Sequence, residues 1–146
     1  MGTTVTVCFI TKSFIHIANV GDSCCFAIRN NEIKKITKDH SLVQELVDCG
    51  SISEKEAQNH PKKNIITRAL GTSSTVSVDV FELDNNEYEL YVLCSDGLTN
   101  ELTKEEILQV VTEQQDYMKS TNKLIALAKG KGGRDNITVL LFGGDI

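Results

Sequence analysis

Between residues 3 and 36, four apolar, β-branched stretches follow one another with breaks of only two or three residues: 3–10, 14–20, 23–29 and 32–36. Breaks that short cannot hold the crossover needed between parallel neighbours, so consecutive strands must pair antiparallel. The pattern then changes period. Residues 41–49 and 53–60 read as two short helices. Gly50 follows the first at a C-cap position, and Ser53 to Glu56 forms an S-x-x-E capping box. Pro61, the only proline, stops the second. Strands at 76–83 and 89–94 are joined by the turn Asp84-Asn85-Asn86. Two amphipathic helices follow, 103–112, opening on T-K-E-E, and 120–129, with Leu124, Ile125, Leu127 and Ala128 on one side. A last strand spans 137–142. The expected class is α+β, with helices packed on antiparallel sheet.

A chain of 146 residues makes one domain or part of one, and buries roughly 70% of the surface exposed when unfolded. Its formal net charge of -5 excludes a non-specific nucleic-acid binder, which needs a basic face. No apolar run approaches the ~20 residues of a membrane-spanning helix, so no membrane partner is expected. Cysteines at 8, 24, 25, 49 and 94 form no C-x-x-C pair, and four of them lie in strand-like runs as small buried hydrophobes. An odd cysteine count without a signal peptide points to a reducing compartment, the cytoplasm.

Three aspartates share one context. Asp22 sits in "ANVGDS", Asp96 in "LYVLCSDGLTNEL" and Asp135 in "GGRDNITVLL". Each stands where a β-rich run meets a glycine-containing turn, so each could sit at a sheet rim, although spacing does not show that they converge. After Asp96 the chain reads as the start of a helix. Carboxylates gathered there repel one another unless a cation stands between them, and hard cations such as Mg²⁺ or Mn²⁺ take such oxygen ligands. Asp-Gly and Asp-Asn are also ordinary turn dipeptides. From the residues alone, turn and ligand readings both stand.

Other chemistries are set aside. "KGKGGRDN" contains no G-x-x-x-x-G-K-[ST], no G-x-S-x-G occurs, and the three histidines lack H-E-x-x-H spacing. His16 alternates with Ile15 and Ile17 and reads as a surface-face residue. His60, before Pro61, reads as a helix-end cap.

Taken in order, "ANVGDS", "ITKDHSLVQELVDCGSISEKEAQNHPKKNIITRALGT", "LYVLCSDGLTNEL" and "KGGRDNITVLLF" resemble the metal-dependent serine/threonine protein phosphatases of the protein phosphatase 2C (PPM) family, and its bacterial branch most. The resemblance implies part of a four-layer sandwich: antiparallel β-sheets flanked by helices, with a metal centre at one end. It implies Asp96 and Asp135 as carboxylate ligands of a two-metal core. Asp22 and Asp96 would hold a more labile third ion, Mn²⁺ or Mg²⁺ in each case. No side chain is expected as a direct catalyst, since a metal-activated water does that work. Residues 39–71 match the helical flap beside the family's cleft. The implied activity is hydrolysis of phosphoserine or phosphothreonine in a protein partner, in signalling, with a serine/threonine kinase as a further partner.

The chain also departs from the family. The N-terminal part of the domain is missing, and with it the phosphate-binding arginine, an early acidic ligand and the bridging Asp-Gly aspartate. Asn100 stands where many members carry a second acidic ligand for the third metal, and Cys24 where an arginine is common. The expectation is therefore a single incomplete domain, 1–146, poorly active alone and prone to self-association through open sheet edges at 3–10 and 14–20. The alternative is a non-catalytic, phosphatase-like module that binds a kinase or phosphoprotein.

Overall fold

The structure, a computed structural model, describes residues 1–143. In chain order its elements are β1 (Val5–Ile10), β2 (Phe14–Val20), β3 (Cys24–Arg29), β4 (Glu32–Lys35), α1 (Leu42–Asp48), α2 (Glu54–Gln58), β5 (Asp79–Asp84), β6 (Leu90–Cys94), α3 (Asp96–Thr99), α4 (Lys104–Gln114), α5 (Tyr117–Lys131) and β7 (Val139–Gly143). The strands form two sheets, β1-β2-β5 and β4-β3-β6-β7, and every pairing is antiparallel. However, β2 and β3, expected to pair across their two-residue break, lie in different sheets because the chain crosses between the layers at Gly21-Asp22. No described helix is long and apolar enough to cross a membrane.

Side-chain alternation decides the layers. On β2, Ile15 and Ile17 point inward and are fully buried, while Phe14 and His16 face out. Strands β3 and β6 are buried on both faces, which is why "CCFAIR" and "LYVLC" are apolar at nearly every position. Cys24, Phe26, Ile28, Leu90, Val92 and Cys94 pack beneath Ile107, Val110, Val111, Leu124 and Ala128 of α4 and α5. Cys25, Ala27 and Tyr91 face the other sheet and meet Ile15 and Ile17. Tyr91 stacks on Phe142 with ring centroids 5.1 Å apart. The chain thus supplies three layers, sheet on sheet on helices. Among the described residues no helix covers the outer face of β1-β2-β5.

Local chemistry sets the helix ends. Ser53–Glu56 and Thr103–Glu106 both close as capping boxes. Gly50 and Ser51 donate their N–H groups to the carbonyls of Val47 and Leu46, so α1 ends in a Schellman motif. Helix α5 begins at Tyr117, three residues before the expected start, because Asp116 accepts the Lys119 N–H at 2.7 Å and caps it. Strand β5 begins at Asp79 rather than 76, where its pairing with β2 begins at Asn19. Asn59, not His60, caps α2; His60 Nδ1 instead accepts the Lys62 N–H. The 39–71 segment closes on itself like a stem. Leu42 N–H bonds to Ile65 O at 2.9 Å, Thr67 N–H to His40 O at 2.8 Å, and Leu70 pairs with Thr3.

Strand β1 is an open edge as expected, whereas 14–20 is not, because β2 is paired on both sides by β1 and β5. Val7, Phe9, Phe14 and Val80 lie exposed on the outer face of this sheet. Such a surface favours self-association. Light scattering should return a mass above the 16.1 kDa of one chain. Phe9→Lys with Val80→Lys should restore a monomer without lowering the thermal midpoint. A parent chain that stays monomeric at every concentration contradicts this expectation.

Candidate metal centre

Strand pairing brings the three aspartates to one rim. Cys24 lies directly opposite Cys94 across β3 and β6, with their sulfurs 3.7 Å apart. Asp22 precedes Cys24 by two residues and Asp96 follows Cys94 by two, so antiparallel pairing delivers both to the same end. Val139 pairs with Cys94 on the other side, and the loop before it carries Asp135.

The "SDG" turn and the "RDN" loop are fastened together. Ser95 Oγ donates to the Asn136 carbonyl at 3.2 Å and accepts the Thr138 N–H at 3.0 Å. The Ser95 N–H donates to the Thr138 carbonyl at 3.1 Å. Gly97 allows the approach, since a Cβ there would fall 2.1 Å from the Asn136 carbonyl oxygen. Asp96 is the first residue of α3, a single turn, and Asn100 Nδ2 lies 3.5 Å from its Oδ2. Asn100 therefore turns a donor, rather than a second charge, toward the rim.

The rim is electrostatically loaded. Burial, and then the charge of Asp96, push Asp22 up to about 6. Asp96 is raised by burial and then by Asp135. Asp39, which the sequence reading used only as a boundary, adds to the repulsion on both. Its Oδ2 accepts from Lys35 Nζ at 2.7 Å, while its buried Oδ1 has no hydrogen-bond partner. Oxygen-only donors, mutual repulsion and an orphaned buried carboxylate oxygen fit a hard divalent cation in kind. The set is incomplete in number: among the described residues, no three His, Cys, Asp or Glu side chains are grouped so as to hold a metal ion.

A second network holds this rim in place and escaped the sequence reading. His40 is buried, and its Nδ1 accepts the Gly21 N–H at 2.9 Å, next to Asp22. That leaves Nε2 to donate to Asp79 Oδ2 at 2.8 Å. Arg68 donates to Asp79 Oδ1 and to the Ser77 carbonyl, both at 3.0 Å. The His40 N–H also bonds the Gly21 carbonyl at 2.9 Å. Gly21 is thus clamped on both sides. The only signal was "DH" after a strand. His16, by contrast, lies on the outer sheet face as expected, 3.4 Å from Glu82.

An acid whose pKa rises on folding keeps its proton longer in the folded chain, so stability falls as pH climbs through the ordinary carboxylate range to the folded value. Without metal, the Asp22 carboxyl should cost the folded chain stability as pH rises from about 4 to about 6. Asp22→Asn should remove much of that loss, gaining about 1 kcal/mol at neutral pH after allowance for solvent screening. Urea unfolding at both ends of the range checks this. Identical pH slopes for parent and variant contradict it.

Comparison with known proteins places this geometry. The family model for protein phosphatase 2C matches residues 1–133. The serine/threonine phosphatase stp of Listeria welshimeri is 43% identical over 141 residues, 97% of this chain and 56% of that protein. The crystal structure of serine/threonine phosphatase Stp1 from Staphylococcus aureus matches with a TM-score of 0.92 and 37% identity, over 98% of this chain and 56% of that one. The catalytic domain of serine/threonine protein phosphatase PstP, solved in complex with two manganese ions, matches with a TM-score of 0.85 and 35% identity, over 97% of this chain and 58% of that one. The chain spans little more than half the length of these relatives. With the matched model covering nearly all of it, the chain belongs to the protein phosphatase 2C family, on its bacterial branch.

Proposed function

We propose that the chain serves metal-dependent hydrolysis of phosphoserine and phosphothreonine esters in proteins, and that alone it turns over poorly. The observation that carries the reading is the shared rim of Asp22, Asp96 and Asp135. Family membership supplies the reaction class. Asp96 and Asp135 would hold part of a two-ion core of Mn²⁺ or Mg²⁺, and Asp22 with Asp96 a third ion, where Asn100 offers no second carboxylate. A divalent cation bound there supplies an activated water and neutralises charge on the phosphoryl oxygens.

The chain's own residues prepare the site. Ser95 holds the Asp96 turn against the Asp135 loop, and His40 holds the backbone beside Asp22. Lys63 and Asn64 of the 39–71 segment border the same rim, across a small cavity of about 90 Å³ shared with Asn100 and Asp135. This proximity supports reading the segment as the grip for a phosphorylated protein, and we propose a kinase acting on the same proteins as a second partner. Poor activity would follow from the thin donor set: with Asp22 turned to the third ion, only Asp96 and Asp135 face the two-ion core, and the sequence contains no Asp-Gly-x-Gly-Gly whose aspartate would bridge the ions. Five free cysteines accord with a cytoplasmic setting.

Calorimetry with Mn²⁺ and turnover of para-nitrophenyl phosphate and a phosphothreonine peptide test this together. The expected outcome is saturable Mn²⁺ binding, weakened at least about tenfold by Asp96→Asn, with turnover close to background. Robust turnover abolished by Asp96→Ala would overturn the poor-activity half. Millimolar, unselective cation binding would replace the hydrolytic reading with a non-catalytic module that docks a kinase or phosphoprotein.

A further inference from the structure

The loop that carries Asp135 does not set its own course. It leaves α5 through Gly132 and Gly133, with φ of +150° and +53°, so the residues ahead of Arg134 impose little steric direction. Beyond Asp135 the loop is held by Ser95, as described. Ahead of Asp135 the backbone N–H groups of Gly132 and Gly133 tie back only to α5 itself, and the side-chain link across to the Asp96 turn is one ion pair. Arg134 Nε donates to Glu101 Oε1 at 2.9 Å and Nη2 to Oε2 at 3.1 Å, a two-pronged arrangement. The partners are unlike in setting: the Arg134 side chain is 74% exposed, that of Glu101 only 3%. Glu101 closes the turn that begins at Asp96, its N–H bonding the Leu98 carbonyl, and the buried Leu102 follows it. It is therefore a fixed point on the Asp96 side.

We infer that Glu101 and Arg134 form a positioning pair that sets the Asp135 carboxylate relative to Asp96 for cation binding. The inference rests on the proposed metal reading. An exposed surface ion pair contributes little to stability, but this one is two-pronged and shields the Glu101 carboxylate, so the fork fixes the direction of the loop even where its charge adds little. The Arg134 guanidinium already holds the Glu101 carboxyl below the usual glutamate range. Both residues, with Gly97, Asn100 and Asp135, wall the small cavity at the rim. Displacing the Arg134 side chain would thus loosen the loop next to the ligand itself. It would leave the Ser95 bonds beyond Asp135 and, ahead of it, the long contact from the Arg134 N–H to Glu101 Oε1 at 3.5 Å and the Gly133 N–H bond to the Ala128 carbonyl.

The test uses the full chain and four variants: Arg134→Gln, Glu101→Gln, the double change, and Arg134→Lys. Two readouts are taken, Mn²⁺ affinity by calorimetry and amide hydrogen exchange without metal. Each glutamine variant should weaken Mn²⁺ binding about tenfold, the scale of lost ligand-orienting contacts. The double variant should be no worse than either single one, since the two side chains act as a unit. Arg134→Lys, which keeps charge but loses the fork, should recover part of the affinity. Exchange at the Asn136 and Thr138 amides should quicken in the glutamine variants, with β2 amides unchanged. Affinity and exchange both within twofold of the parent would overturn the inference. If the parent itself takes up no Mn²⁺ saturably, the metal reading fails, and exchange at those amides still decides whether the pair positions the loop.

Discussion

The pairing of β3 with β6 is the constraint on which the rest of the structure depends. Both strands are buried on both faces, and their register sets Cys24 against Cys94. A slip of one residue would turn Phe26 and Val92 toward the wrong layer and exchange the two cores. It would also shift Asp22 relative to Asp96 along the sheet end. Packing of the apolar centre and placement of the carboxylates are therefore one geometric fact. The helical layer of α4 and α5 and the sheet β1-β2-β5 lock it from either side.

The rim concentrates charge that folding alone would disperse. Asp22 and Asp96 are both raised, and Asp39 keeps a buried oxygen without a donor. None of this helps an empty fold, since stability is given up wherever like charges are partly desolvated. The surrounding bonds make sense as restraint against that repulsion. Ser95 ties two loops together, His40 holds Gly21 from both sides, and Lys35 neutralises Asp39. A cation would relieve the same repulsion that these bonds withstand.

Much of the fold was legible because its signals are local. The short breaks at 11–13 and 30–31 mark true antiparallel hairpins, but the equally short break at Gly21-Asp22 carries the chain from one sheet to the other, a switch that no local signal announces. S-x-x-E and T-K-E-E mark two helix starts where the caps form. Asp116 was harder to see, because no apolar repeat begins until several residues after it. The three aspartates were legible as rim residues, since each follows or precedes a strand. The network of His40, Arg68 and Asp79 was not. Those residues stand far apart in the chain, and each alone looks like any polar loop residue. Asp39 was missed for a related reason: its unpaired oxygen exists only once Lys35, Asp22 and Asp96 surround it in space.

The stem that closes the 39–71 segment has a consequence for how such a protein diversifies. The bonds from Leu42 to Ile65 and from Thr67 to His40 bring the two ends together, and the entropy of closing a loop grows only slowly with its length. The stretch from 43 to 62, short of Lys63 and Asn64 at the rim cavity, can therefore be lengthened, shortened or exchanged like a cassette while the rim keeps its shape. His40 and Arg68, whose side chains reach Gly21 and Asp79, lie just outside the cut. Evolution can remodel the surface here without disturbing the framework beneath it.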